Sequence, residues 1–162
     1  MLSIIVARSK NNIIGKDNQL VWHIPEDLKH FRQLTLDKTL IMGRKTFEAV
    51  GNIVNGKKLV VFTNNPNFET DKENVEIVHS VDDIQKYVES DEECMVIGGS
   101  MIYHLLISKV NKLYITEIDK VYEGDAFFPK VTEEEWKVVR TQKGLECDSI
   151  GIDYSFVEYE RI

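Results

Sequence analysis

Cysteine is scarce in this chain of 162 residues: there are two, Cys94 and Cys147, far apart and outside any CxxC spacing. Cys94 opens an apolar run and is expected to be a buried free thiol. Four histidines, His23, His30, His79 and His104, show no metal-ligand spacing, so no metal is expected. No stretch of about eighteen apolar residues occurs, and none is expected to span a membrane. Met1 runs straight into a short apolar segment, without a charged n-region or a small-residue cleavage site, so no signal peptide is expected. Basic residues are outnumbered, 20 Lys and Arg against 27 Asp and Glu, a net charge of −7. That balance argues against general nucleic-acid binding and against an anionic membrane surface. It leaves room for a small anionic ligand held by a local basic cluster. A reducing, cytoplasmic setting fits all of these absences.

What is present is the composition of a globular protein, 43% hydrophobic and 29% charged, of a length that suits one domain over 1–162. Residues 2–7 form an apolar run broken only by Ser3, the pattern of a central strand buried on both faces. Residues 8–18 read as a long polar loop with Ile13-Ile14 as an apolar island, and loops of that length are functional candidates. The spacing then predicts a helix over 25–35, strands near 40–42, 59–63, 75–79, 94–97 and 113–118, and helices over 44–50, 82–88 and 100–106. Strand–helix alternation implies a mostly parallel sheet with helices on both faces. The segments 136–141 and 154–160 have no helix between them and read as an antiparallel hairpin at one edge, joined by the turn-rich 144–151. The expected fold is therefore α/β: a single domain with a mixed, mostly parallel eight-stranded sheet and an antiparallel C-terminal edge hairpin.

The stretch from Leu20 to Phe31 organises the chain. Ile24-Pro25 marks a helix start, because proline fixes φ for the first helical position and needs no N–H there. At helical spacing Ile24, Leu28, Phe31, Leu34 and Thr35 share one face, and Asp27 lies within that stripe. A carboxylate on a face meant for burial is costly unless something pairs it. No Lys or Arg lies in the middle of the stripe, which points to a ligand carrying a fork of N–H donors. The plainer reading has Asp27 decorating a first helical turn, where the helix dipole favours acids. Glu26 already supplies such an acid on the outer face.

Two strand-to-helix junctions carry glycine: Met42-Gly43-Arg44-Lys45-Thr46 and Ile97-Gly98-Gly99-Ser100. Free N–H groups at a helix start bind phosphate, and glycine admits a close backbone approach. Two such junctions on one sheet suit the two ends of a dinucleotide pyrophosphate, although a tight connection explains each glycine equally well. Neither junction matches GxGxxG or GxxxxGK[ST], which excludes the ordinary Rossmann and P-loop signatures. Arg44 and Lys45, with Thr63-Asn64 at the end of a neighbouring strand, would suit an additional phosphate and favour NADP over NAD.

Over nearly its full length the sequence resembles bacterial dihydrofolate reductases. The motifs that carry the resemblance include Ile4-Ile5-Val6-Ala7, Ile13-Ile14-Gly15, Leu20-Val21-Trp22, Ile24-Pro25-Glu26-Asp27-Leu28 with Phe31, and Leu40-Ile41-Met42-Gly43-Arg44-Lys45-Thr46-Phe47-Glu48. Val96-Ile97-Gly98-Gly99, Tyr103, Leu113-Tyr114-Ile115-Thr116, Gly124-Asp125 and Phe128-Pro129 follow in order. The resemblance implies NADPH-dependent reduction of 7,8-dihydrofolate to tetrahydrofolate, by hydride transfer to pterin C6 and protonation at N5. It implies a cytoplasmic monomer of one-carbon metabolism that binds antifolates.

It also implies site residues. Asp27 would pair with N3 and the 2-amino group of the pterin, supported by Thr116, with Leu20 and Trp22 completing the catalytic group. The carbonyls of Ile5 and Ile97 would face the pterin. Leu28, Phe31, Val50 and Val54 would wall its rings, and Arg32 and Lys57 would meet the folate tail. Ala7, Ile14, Gly15, Asn18, Leu20 and Tyr103 would surround the nicotinamide, with the loop over 9–23 closing as a lid. Gly43, Arg44, Lys45 and Thr46, with Gly98, Gly99, Ser100, Met101 and Ile102, would hold the phosphates. Thr63, Asn64 and His79 would border the 2′-phosphate. The family carries a cis peptide bond between its paired glycines, here Gly98-Gly99.

Two alternatives stay open on residues alone: a same-fold reductase of another pterin or a pyrimidine, and a non-catalytic folate- or NADP-binding protein. Two positions depart from the family pattern. Lys57 stands where an arginine is usual, and a lysine cannot fork onto a carboxylate, so tail binding is expected to be weaker by roughly 1–2 kcal/mol. Val21 stands where a proline is usual, which leaves the lid less restrained. Val21→Pro is expected to restrain the lid and so change its closure and release rates in pre-steady-state kinetics; unchanged rates would count against this.

Overall fold

The computed structural model describes residues 1–162. The opening apolar run forms β1 (Leu2–Arg8), buried over its first four residues and half-buried where it rises toward the open end of the sheet. It lies between β6 (Cys94–Gly98) and β7 (Val110–Ile118), parallel to both. Beyond β6 come β3 (Thr39–Gly43), β4 (Lys58–Phe62) and β5 (Val75–Val78), again parallel. Beyond β7, β10 (Tyr154–Arg161) pairs antiparallel and carries β9 (Trp136–Lys143), also antiparallel, at the edge. The order is β5-β4-β3-β6-β1-β7-β10-β9, an eight-stranded mixed sheet with the expected C-terminal hairpin.

Alternation along the strands splits the apolar side chains between the two faces. On β4, Val60 and Phe62 join one core cluster while Leu59 and Val61 join another. The first face is covered by α4 (Ser100–Leu106) through Ile102, Tyr103 and Leu106. The second is covered by α1 (Pro25–Thr35) through Phe31 and Leu34, and by α2 (Arg44–Val50) through Phe47 and Val50. A third cluster, of Trp22, Ile24, Ile118, Cys147, Tyr154 and Phe156, fastens the start of α1 to β7 and β10. Both cysteines are free and buried. No helix is long and apolar enough to cross a membrane.

Three local features differ from the sequence reading. The island in the long loop is β2 (Ile13–Gly15), paired antiparallel with β8 (Ala126–Phe127). Three residues are too few to show a period, and the partner lies more than a hundred positions away. The helix expected over 82–88 is a 3₁₀ turn, Val81–Ile84, followed by the single α-turn α3 (Gln85–Val88). There the Asp83 carboxylate accepts the N–H groups of His79 and Ser80, which tightens the start. The connection before β10 contains a further turn, α5 (Cys147–Ile150), stopped by Gly151 at φ 71°.

β2 and β8 anchor the segment that leads to α1. The Asp125 N–H donates to the Gly15 carbonyl at 3.1 Å, and the Asp17 N–H donates to Asp125 Oδ2 at 3.2 Å. Gly124 allows this approach: a Cβ there would lie 2.4 Å from Ile13 Cγ2 and 2.5 Å from the Gly15 oxygen. Gly124→Ala is expected to cost about 1–3 kcal/mol by overpacking. The measurement is urea unfolding, with a lowered midpoint and an unchanged slope; a wild-type midpoint would refute the contact.

Candidate active site

Parallel strands end together, and at the carboxyl ends of β1, β3, β4, β5 and β6 the sheet opens into a cleft of about 1100 Å³. This is the side of an open α/β sheet where ligands bind. α1 forms one wall, α2 and α4 begin at its floor, and the segment before α1 overhangs it.

Asp27 sits in the first turn of α1, facing the cleft. Proline at the first helical position starts the helix, and Ile24 at the cap offers no side-chain acceptor. The Thr116 hydroxyl on β7 donates to Asp27 Oδ1 at 2.6 Å. None of the ion pairs within the chain involves Asp27. Burial pushes the Asp27 carboxyl above the ordinary carboxylate range; the Thr116 hydrogen bond opposes this, and the charge of Glu26 adds to it. A half-buried acid with one hydrogen bond and no counterion is arranged to receive donors from a ligand.

Around it the cleft is apolar. Ile5, Ala7, Leu28 and Phe31 line the end near Asp27, and Val50 and Val54 face them from the far wall. Tyr103 is buried, and its hydroxyl donates to the Ile5 carbonyl at 2.8 Å. Ile14, Gly15 and Ile97 line the middle, and Asn18 and Leu20 reach in from the overhang, where Leu20 is 57% exposed. The overhang turns tightly through Asp17 and Asn18, both at positive φ, with Lys16 and Gln19 bonded across them.

The other end of the cleft is polar. Gly43, Arg44, Lys45 and Thr46 border it on one side, and Gly98, Gly99, Ser100, Met101 and Ile102 on the other. The Gly98-Gly99 bond is cis, and Gly98 has φ 123°. A Cβ on Gly98 would lie 3.2 Å from the Tyr103 hydroxyl, so only glycine fits that backbone. Thr63, Asn64 and His79 close this end. His79 Nδ1 lies 2.7 Å from the Thr63 carbonyl, which can only accept, so Nδ1 carries the hydrogen and the ring is held by it. Arg44 is paired with Glu48 at 2.6 Å, whereas Lys45 has no carboxylate partner.

Two expected site residues, Lys57 and Trp22, do not line the cleft. Lys57, expected at the folate tail, does not line the cleft: its ammonium is held by Glu92 Oε2 at 2.6 Å. Arg32, without an ion-pair partner, is the cation that α1 presents to this end. Trp22, expected among the catalytic group, is buried beneath the overhang against Tyr122, with ring centroids 5.3 Å apart, and does not line the cleft. Thr116 reaches the cleft only through Asp27. Sequence reading missed Ala49, Ile53, Asn55, Ser80 and Val81, which also line the cleft. Ser80 and Val81 follow the carboxyl end of β5, a position that the strand-end rule alone would have flagged.

Comparison with known proteins covers the whole chain. A family model described as "Dihydrofolate reductase" matches residues 1–161. The dihydrofolate reductase of Bacillus subtilis is 39% identical over 161 residues, covering 99% of this chain and 95% of that one. That of Staphylococcus aureus is 38% identical over 160 residues, covering 99% and 98%. A solved dihydrofolate reductase from Enterococcus faecalis, complexed with NADP(H) and RAB-propyl, superposes with a TM-score of 0.88 at 35% identity and covers 99% of this chain and 96% of its own. Sequence and backbone agree from the first strand to the last, and this chain belongs to the dihydrofolate reductase family.

Proposed function

We propose that this protein catalyses the NADPH-dependent reduction of 7,8-dihydrofolate to 5,6,7,8-tetrahydrofolate, with hydride delivered to pterin C6 and a proton to N5. The observation that carries the reading is Asp27: a carboxylate in an apolar cleft, held by Thr116 and lacking any internal cation. It meets the N3 and 2-amino donors of the pterin. Leu28, Phe31, Val50 and Val54 sandwich the rings, and Arg32 meets the carboxylate tail in place of Lys57.

The cleft fits a dinucleotide in length and chemistry. Gly98 and Gly99 bring bare backbone to the cleft where a pyrophosphate can approach it, and Lys45, without an ion-pair partner, lines the same cleft. Ser100, Met101, Ile102 and Thr46 complete that cradle, and Thr63, Asn64 and His79 border an additional phosphate. NADPH, when bound there, supplies the hydride. The chain itself supplies position and dryness. Tyr103, Ala7 and Ile14 shape the centre, and the overhang through Leu20 excludes water. Asp27, its carboxyl raised by burial, retains a proton to higher pH than an exposed acid and serves N5 protonation. The protein acts as a monomer in this reading, and its two buried free thiols fit a reducing, cytoplasmic setting.

Loss of NADPH absorbance on adding dihydrofolate is the direct test; no oxidation would refute the reading. The rate of the chemical step is expected to fall as pH rises through the Asp27 pKa. Asp27→Asn is expected to remove that titration and lower kcat/KM by roughly 10²–10⁴-fold, the range of general acid catalysis. On stability the same substitution acts with the opposite sign. The folded-state pKa lies above the unfolded one, so the contribution of Asp27 is full at low pH and lost as pH rises through the folded value. Asp27→Asn should therefore melt higher than wild type at pH 8, the gap closing toward pH 4, as read by thermal unfolding without ligand. Arg32→Ala should raise the KM for dihydrofolate roughly tenfold, as expected for a lost charged hydrogen bond. Lys57→Ala should change it less than about twofold, because Glu92 already engages that ammonium; the reverse ranking would return the tail to Lys57.

A further inference from the structure

Glu26 reads in the sequence as a solvated first-turn acid, but the fold gives it partners. Its Oε1 accepts the Leu145 N–H at 2.8 Å and the Tyr154 hydroxyl. Tyr154 is 2% exposed, on β10, within the cluster that fastens the start of α1. Its ring is locked in place: a Cβ on Gly144 would lie 2.1 Å from Tyr154 Cε2, and Phe156 packs edge-on with centroids 5.8 Å apart. One helical turn further along α1, His30 stacks on Phe156 at 4.1 Å. Phe156 is in turn the direct cross-strand partner of Thr116, the residue that holds Asp27. Three neighbouring side chains on two paired strands thus grip the first part of α1: Tyr154 holds Glu26, Thr116 holds Asp27, and Phe156 holds His30 one turn on.

We propose that Glu26 is a positioning residue for the reaction: latched to Tyr154 and to the Leu145 N–H, it fixes the rotation and height of the first turn of α1, so that Asp27 stays against Thr116 and faces the pterin. The inference rests on the proposed reductase activity. Without the latch, the helix start has no side-chain cap and Glu26 no partner, and the turn rests on the packing of Ile24, the Thr116–Asp27 hydrogen bond and the His30–Phe156 stack. Glu26 acts on Asp27 in a second way. The titratable groups about this turn are Asp27 and His30 on α1, Tyr154 and Glu158 on β10, Cys147 on α5 and Arg140 on β9. Among the groups around Asp27, Glu26 is the one whose charge bears on it. The Tyr154 and Leu145 donors make it possible for two adjacent acids to sit side by side.

The test compares Tyr154→Phe, which keeps the ring, with Glu26→Ala and Glu26→Gln. Tyr154→Phe and Glu26→Ala are expected to raise the KM for dihydrofolate about three- to tenfold while leaving the KM for NADPH unchanged, because Lys45 and the glycine cradle are remote from the latch. Glu26→Gln keeps an acceptor for both donors and should restore the dihydrofolate KM. It should also move the fall of the hydride-transfer rate to lower pH, since the neighbouring charge is gone. Tyr154→Phe keeps that charge and should not shift the profile to lower pH. Variants that match an active wild type in both KM values and in pH profile overturn the proposal. So does an equal rise in both KM values accompanied by a smaller titratable fraction of active enzyme, the mark of general destabilisation. A wild type that oxidises no NADPH sinks the activity and the latch together.

Discussion

One hydrogen bond without a counterion governs the site. The Thr116 hydroxyl holds the Asp27 carboxylate at 2.6 Å, and no cation of the chain comes to it. In an apolar surround such an acid is costly for the protein alone and becomes favourable when a ligand brings its own donors. The same arrangement keeps the carboxyl protonated to higher pH. Stability is given up where binding and proton transfer need it.

The sheet makes that bond possible. Thr116 lies on β7 and Asp27 on α1, and nothing local brings them together across 89 positions. Parallel pairing of β7 with β1 sets the height of Thr116, and antiparallel pairing with β10 places Phe156 opposite it. The cluster of Trp22, Ile24, Ile118, Tyr154 and Phe156 then lowers the start of α1 onto those strands. Trp22 belongs to this support rather than to the cleft wall, which is why a residue expected to act on substrate is found beneath the overhang.

Charge is distributed to match. The chain is acidic overall, yet Arg32 and Lys45, both without ion-pair partners, line the same cleft as Asp27. Arg44 and Lys57 are already engaged by Glu48 and Glu92. Two free cations in one cleft with a lone acid suit ligands that carry both anionic groups and hydrogen-bond donors.

Much of this was legible in the amino-acid order. Apolar runs of strand length, the glycines after β3 and β6 and the proline before α1 are local signals, since each follows from backbone sterics or side-chain period. Asp27 stood out because it broke an apolar stripe. β2 was missed because its meaning lies in its pairing with β8, and the pairing of Lys57 with Glu92 was not legible because only the fold brings those residues together. By itself the sequence determined the main strands and helices, the acid and the family, because those depend on short-range chemistry and on motifs in order. Which cations remain free, that Trp22 lies under the overhang and that Glu26 is latched to Tyr154 were decided only by tertiary structure. Those outcomes depend on which distant groups strand register and core packing bring within hydrogen-bonding distance.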